Sequence, residues 1–337
     1  MKTSKFLMIA LLALGLSGVS CKKSPPVKVS HTSMPTAPVE LKLDWPLGRH
    51  ALQSFDMKIG VAMNIPGMAQ PMNQDITMAQ DTALTVTKEM DGGKHEVEME
   101  YLNTKMSVAA AGKKVVDYDS SKKSEKGTDP GIAAMGKMVG AKIQFILDAS
   151  NRVESVQGID DLQGRMTSVI KGDQSGMLKT FLSADTLKQM MDHAASLPGK
   201  AVKPGDSWPV QREFSMGPLG TMESDFTFTL NSWEKRNDRW CARIGMDGTM
   251  TNKPSDTADT ALPGMKIAVS DGTCSGETWF DIDMGMFVET KLNNDMKLAI
   301  TVPMGPPRKT AKKTEAPKTQ TITADMHQAM TTKFELK

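Results

Sequence analysis

Three cysteines, five histidines and one close pair of aspartates are the side chains in this 337-residue sequence whose types invite chemistry. The histidines are His31, His50, His95, His193 and His327. None belongs to an H-E-x-x-H pairing, which would put two imidazoles one helical turn apart on a zinc ion. None neighbours a G-x-S-x-G turn, which would lift a serine nucleophile out of a sheet. Asp281 and Asp283 make an Asp-x-Asp pair, but Met284 and Gly285 follow where a calcium loop needs further oxygen ligands. A strand that ends in an Asp-capped turn accounts for the pair better. No Gly-Lys-Ser/Thr phosphate loop and no dinucleotide fingerprint occurs. The expectation is a chain without cofactor or metal, and not an enzyme.

The first cysteine has a different setting. Lys2 and Lys5 precede an apolar stretch from Phe6 to Leu16. That stretch is of signal-peptide length and too short to span a bilayer core, which takes about 20 apolar residues. Small residues then lead into Cys21 through Ser17, Gly18, Val19 and Ser20. This arrangement resembles the lipobox of bacterial lipoproteins, in which the thiol accepts a diacylglyceryl group before cleavage. Gly18 departs from the leucine usual there. The resemblance implies a signal peptide over 1–20 and lipidation of Cys21. Each buried CH₂ contributes roughly 0.8 kcal/mol, so two or three acyl chains anchor a protein stably. Residues 22–40, rich in Pro, Ser and Thr and lacking a periodic apolar face, read as a flexible tether. The expected location is exported and membrane-anchored, on the periplasmic face or the cell surface.

Cys241 and Cys274 remain, and an even pair in an exported chain is compatible with a disulfide. Against it, Trp240, Ala242, Ile244 and Met246 claim one face of their strand and leave Cys241 on the other. The 28 methionines outnumber the ten Phe, five Trp and two Tyr together. Methionine fills irregular apolar space flexibly, in a core first and in the lining of a pocket second. Met57, Met63, Met68, Met72 and Met78 lack the His or Cys neighbours of a soft-metal site. The chain has 41 Lys and Arg against 39 Asp and Glu; without the leader, which carries Lys2 and Lys5 and no acid, the charges balance. A balanced chain has no basic face to displace the counterions of a nucleic acid.

The elements that must position these residues are mostly strands. In the run from His95 to Tyr101, Val97, Met99 and Tyr101 share one face and three glutamates the other. Leu84 and Val86 lie in phase across the turn Asp91-Gly92-Gly93. The plan recurs later: Phe226, Phe228 and Leu230 alternate, Asn237-Asp238 turns, and Trp240 to Met246 alternates back. "FILDASNRVES" from Phe145 also matches "FDIDMGMFVET" from Phe280, aligning Asp148 with Asp283 and Val153 with Val288 at an offset of 135 residues. Two related halves by duplication follow as the expectation. Between them, Ser183 is a candidate N-cap for a helix to Leu197, with Leu187, Met190, Met191 and Ala194 on one side. A shorter helix is expected from Asp160 to Lys171. The division is then 1–20 signal peptide, 21–40 lipidated Cys and tether, 41–175 first β half, 176–204 helical connection, and 205–337 second β half. The fold class is mainly β, a β-rich α+β, with antiparallel, strongly bent sheets and one or two amphipathic helices between the halves.

Ile146-Leu147-Asp148 with Val153, then Leu197-Pro198-Gly199-Lys200 leading to Val202-Lys203-Pro204-Gly205-Asp206-Ser207-Trp208, resemble an uncharacterised family of bacterial secreted lipoproteins of unknown function. That resemblance implies no activity. In architecture alone, the layout is similar to periplasmic lipid-carrier half-barrels. Two readings compete. One is a non-catalytic envelope module that binds a hydrophobic ligand or lipid, with Leu187, Met190 and Met191 as apolar lining. The other is a structural or protein-protein interaction module of the cell envelope.

Overall fold

The computed structural model describes residues 33–122, 130–170, 179, 182–215, 220–253, 266–303 and 319–337. The expected signal peptide over 1–20, Cys21 and the Pro- and Lys-rich stretch 304–318 lie outside them. Period-two alternation builds most of the chain. In β2 (His50–Asn64), Ala51, Phe55, Met57, Ile59 and Met63 are buried while Ser54, Asp56 and Lys58 face water. β3 (Met72–Met90) and β4 (Lys94–Ala110) form the expected first hairpin, with Gly92 and Gly93 at positive φ. β5 (Lys113–Asp119) and β6 (Lys142–Leu147) share one edge of β4, pairing with its later and earlier residues respectively. β7 (Val153–Gln157) closes this half. The second half runs through β9 (Ser207–Ser215), β10 (Thr221–Arg236), β11 (Arg239–Lys253), β12 (Lys266–Asp281) and β13 (Met286–Pro303). Asn237 and Asp238, both at positive φ, make the tight turn between β10 and β11. Two short strands, β1 (Val39–Glu40) and β8 (Ala201–Val202), pair with each other away from the main sheet.

The main sheet is antiparallel and open, in the order β7-β6-β4-β3-β2-β14-β13-β12-β11-β10-β9. The last strand, β14 (Thr319–Leu336), is inserted between β2 and β13 and joins the two meanders. Laid flat, ten inter-strand steps of about 4.8 Å would separate the edges by roughly 48 Å. Yet both edge strands, β7 and β9, touch one helix of eight residues, about 12 Å long. The sheet is therefore strongly curled, and the helix spans its gap.

That helix, α3 (Ala184–Met191), follows α1 (Pro130–Met138) and α2 (Ile159–Thr167). Ser183 caps it as expected, its side chain accepting from Thr186 N at 3.2 Å. It stops earlier than Leu197. At Asp192 the chain leaves α-helical geometry and a 3₁₀ turn (His193–Ser196) continues, which carries Ala194 and Leu197 onto the core of the second half. Helix α1, absent from the sequence expectation, lies inside the first half rather than between the halves. Its two glycines and short length hide the periodicity, although Ile132, Met135 and Met138 are buried. Leu187 belongs to the first core with Phe145 and Leu162. A second core unites the other half with Leu41 and Leu43. Methionines such as Met57, Met99, Met138 and Met166 are among the most buried side chains, so most methionines among the described residues are core filler.

The disulfide between Cys241 and Cys274 does not form; both thiols are free and buried. The ladder explains why. Cys274 pairs with Gly248, seven residues along β11 from Cys241, which pairs with Asp281. Seven residues is about 24 Å, and an odd step puts the two sulfurs on opposite faces. Burial pushes both thiols up to about 12. Neither is a nucleophile at neutral pH.

Candidate functional site

Two turns and the incoming chain build the site. After β6, Asp148 Oδ1 accepts from Ser150 N at 2.8 Å and Arg152 N at 2.9 Å, holding Asn151 at φ 61. Asn151 Nδ2 then donates to Leu43 O at 2.9 Å. After β12, Asp281 Oδ1 accepts from Asp283 N at 3.0 Å and Met284 N at 2.9 Å, and Gly285 adopts φ 60. Gly285 O accepts from Asp44 N at 2.9 Å. A Cβ on Gly285 would lie 2.8 Å from Asp44 N and 2.9 Å from Lys42 O, so the incoming segment admits only glycine there. The matched motifs therefore grip residues 43 and 44 from two sides. The equivalence is not the one the alignment suggested: the cap that corresponds to Asp148 is Asp281, not Asp283. A constant offset fails because, against the alignment, the cap of the second turn lies two positions earlier, at Asp281, and its left-handed residue one position earlier, at Gly285. Asp281 is a turn cap and a partner of Arg239, whose Nε lies 2.5 Å away, rather than a metal ligand.

Beside this clasp lies an apolar cleft. Leu84, Val97, Phe145, Leu147 and Val153 of the first half line it, together with Met286 and Phe287 of β13 and Phe334 of β14. The incoming segment adds Leu43 and Trp45; the end of α3 and the 3₁₀ turn add Met191 and His193. Its free volume is about 30 Å³, room for roughly two waters. Of the expected lining residues, Met191 is in the cleft and Leu187 is in the core beneath it. The side chain of Met190 lies outside the described residues.

Three polar side chains reach the lining: Trp45, Asn151 and His193. Trp45 Nε1 is buried with no hydrogen-bond partner among the described residues. His193 tilts against Phe287, with ring centroids 6.3 Å apart. Burial is the main cause that lowers His193 to about 4, with nearby Arg212 adding to it and Asp192 opposing. At neutral pH the imidazole is uncharged. Outside it, Arg152 Nε donates to both carboxylate oxygens of Asp192, at 2.8 and 2.7 Å. Arg212 Nη2 donates to Asp192 O at 3.0 Å and to Ser196 Oγ at 2.6 Å. The two arginines come from opposite edges of the sheet and meet on the 3₁₀ turn that carries His193. Sequence reading placed His193 on a helix and passed over Trp45 and Arg212; each is an isolated residue with no motif around it.

The imidazole supplies a pH test. Between an unfolded value near 6.5 and a folded value of about 4, the unfolded chain binds a proton that the native state refuses. Stability is thus full above pH 6.5 and is lost as pH falls towards 4. The expected loss from this group is about 2 kcal/mol. Denaturant melts at pH 7 and pH 4.5 should show a smaller loss for His193→Gln than for the wild type. Equal losses would mean that the native site accepts the charge.

Among the described residues the other histidines form no cluster. His50 Nδ1 lies 2.7 Å from Thr85 Oγ1, His327 pairs with Asp295 at 2.6 Å, and His95 sits at the first hairpin. Among the described residues no three His, Cys, Asp or Glu side chains are placed to hold a metal ion, and no helix is long and apolar enough to cross a membrane.

Fold and site thus define an open, curled antiparallel sheet, bridged by a helix across its gap, with a small apolar cleft inside. The chain belongs to a family of unknown function (DUF6263), whose match covers residues 92–287. No functionally curated protein matches it. Among solved structures, one described as "Lipid-protein interactions in lipovitellin" overlaps with a TM-score of 0.41 and 8% identity, over 87% of this chain and 25% of that one. The chain thus spans about a quarter of that protein's length, and an overlap so loose implies nothing about ligands.

Proposed function

We propose that this protein is a non-catalytic binding module for a hydrophobic ligand or lipid, held at a bacterial membrane by acylated Cys21. The cleft carries the reading: it is apolar on every side except at Trp45, Asn151 and His193, and it lies where the two halves and the incoming chain meet. Apolar pockets with a few convergent polar groups are where small hydrophobic ligands bind. A free volume of about 30 Å³ admits a chain end, so deeper uptake requires side chains such as Met191 and Phe334 to shift. Both are only partly buried.

Native mass spectrometry after gentle extraction tests this. The expected result is a population carrying one lipid-sized adduct, displaced by a fluorescent fatty acid. Protein that is repeatedly empty and ignores the probe defeats the binding reading. A reproducible crosslinked protein neighbour in cells would then favour the interaction module. The anchor has its own test: Cys21→Ser moves the protein to the soluble fraction, and a variant that still sediments with membranes after a high-salt wash contradicts lipidation.

A further inference from the structure

We infer that the ligand of this cleft is a single-chain carboxylic acid of the fatty-acid class, its chain on the apolar lining and its carboxylate at the His193–Arg212 end. The inference rests on the binding reading above and adds the ligand's chemistry. On β9, Trp208 and Val210 point inward and are buried, while Pro209, Gln211 and Glu213 are exposed. Arg212 follows the inward phase, so a guanidinium stands on the apolar face of an edge strand. Arg212 makes no ion pair with a carboxylate among the described residues. The nearby carboxylate, Asp192, is taken on both oxygens by Arg152. The two side-chain hydrogen bonds of Arg212 leave from Nη2, to a carbonyl and a hydroxyl. Nε and Nη1, with three N–H donors, have no partner among the described residues.

The cleft is one-sided in the same sense. Trp45 Nε1 is a donor only, buried in the lining and without a partner among the described residues. Two arginines against one aspartate leave the surroundings of Asp192 positive. Of these donors Trp45 Nε1 is desolvated inside the cleft, while those of Arg212 lie on a half-buried side chain just outside the lining, behind His193; an anionic oxygen satisfies both best. The narrow free volume favours one chain over the two of a phospholipid.

Trp45 makes the test optical, because bromine atoms on a bound chain quench a tryptophan they touch. The probes are 9,10-dibromostearate, its methyl ester and the corresponding alcohol, below their aggregation limits at pH 8, with the full-length protein. The acid should bind at least tenfold more tightly than ester or alcohol, as expected when a charge-assisted hydrogen bond is lost. Arg212→Gln should bring the acid to the level of the ester, Arg212→Lys should keep part of the preference, and Trp45→Phe should remove most of the quenching. Equal binding of all three probes overturns the carboxylate inference and leaves hydrophobic binding standing. Quenching that survives Trp45→Phe puts the chain elsewhere and overturns the inference as well. No quenching by any probe removes the binding reading itself. The comparison of acid with ester needs only the wild type, so it decides the matter even if Arg212→Gln fails to fold.

Discussion

Leu187→Asp is expected to lower the stability of the fold by about 4 kcal/mol, and to do so whatever the ligand state of the cleft. Leu187 is 2% exposed and lies in the core of the first half with Phe145, Leu162 and Leu182. A carboxylate there loses its hydration with no cation in the cluster to meet it, and either unfolds the region or is driven to protonate. The loss extends beyond one side chain. Helix α3 bridges both sheet edges, and its continuation brings Arg212 and Trp208 onto the 3₁₀ turn, Trp208 Nε1 donating to Ser196 O at 2.9 Å. Loosening α3 opens the curl of the sheet. A denaturant melt measures the effect. A variant as stable as the wild type, but with altered uptake of the brominated acid, would show instead that α3 is a movable lid.

Asp281→Ala is expected to cost about 3 kcal/mol, against about 1 kcal/mol for Asp148→Ala. Both residues cap turns through two backbone N–H groups, and loss of such a cap costs about 1 kcal/mol. Asp281 is 1% exposed and also accepts from Arg239 Nε, so alanine there leaves a partly buried guanidinium unpaired as well. Asp283 contributes its backbone N–H to the cap, which Asp283→Ala keeps, so the cap itself should survive that substitution. Thermal melts of the three variants rank them. Equal shifts for Asp148→Ala and Asp281→Ala would mean that the ion pair with Arg239 adds nothing.

Local pattern was enough to determine much of this protein. Alternation from Val97 to Tyr101 and from Phe226 to Leu230, with Asp91-Gly92-Gly93 and Asn237-Asp238 between strands, specified the hairpins, because strand faces and tight turns depend on neighbours in the chain. Ser183 specified the start of α3 for the same reason. The class, mostly antiparallel β with a helix between two meanders, follows from those parts. Only tertiary structure decided the rest. The insertion of β14 between β2 and β13 is a choice of partner among strands with similar faces, and no local signal encodes it. The separation of Cys241 from Cys274 depended on the register of β11 against β12. Which aspartate caps the second turn depended on a two-position displacement that a gapless alignment cannot see. The cleft lay furthest from the sequence. Trp45, His193 and Arg212 are 148 and 19 positions apart. They acquire a common purpose only when the curl of the sheet brings a chain entrance, a 3₁₀ turn and an edge strand to one place.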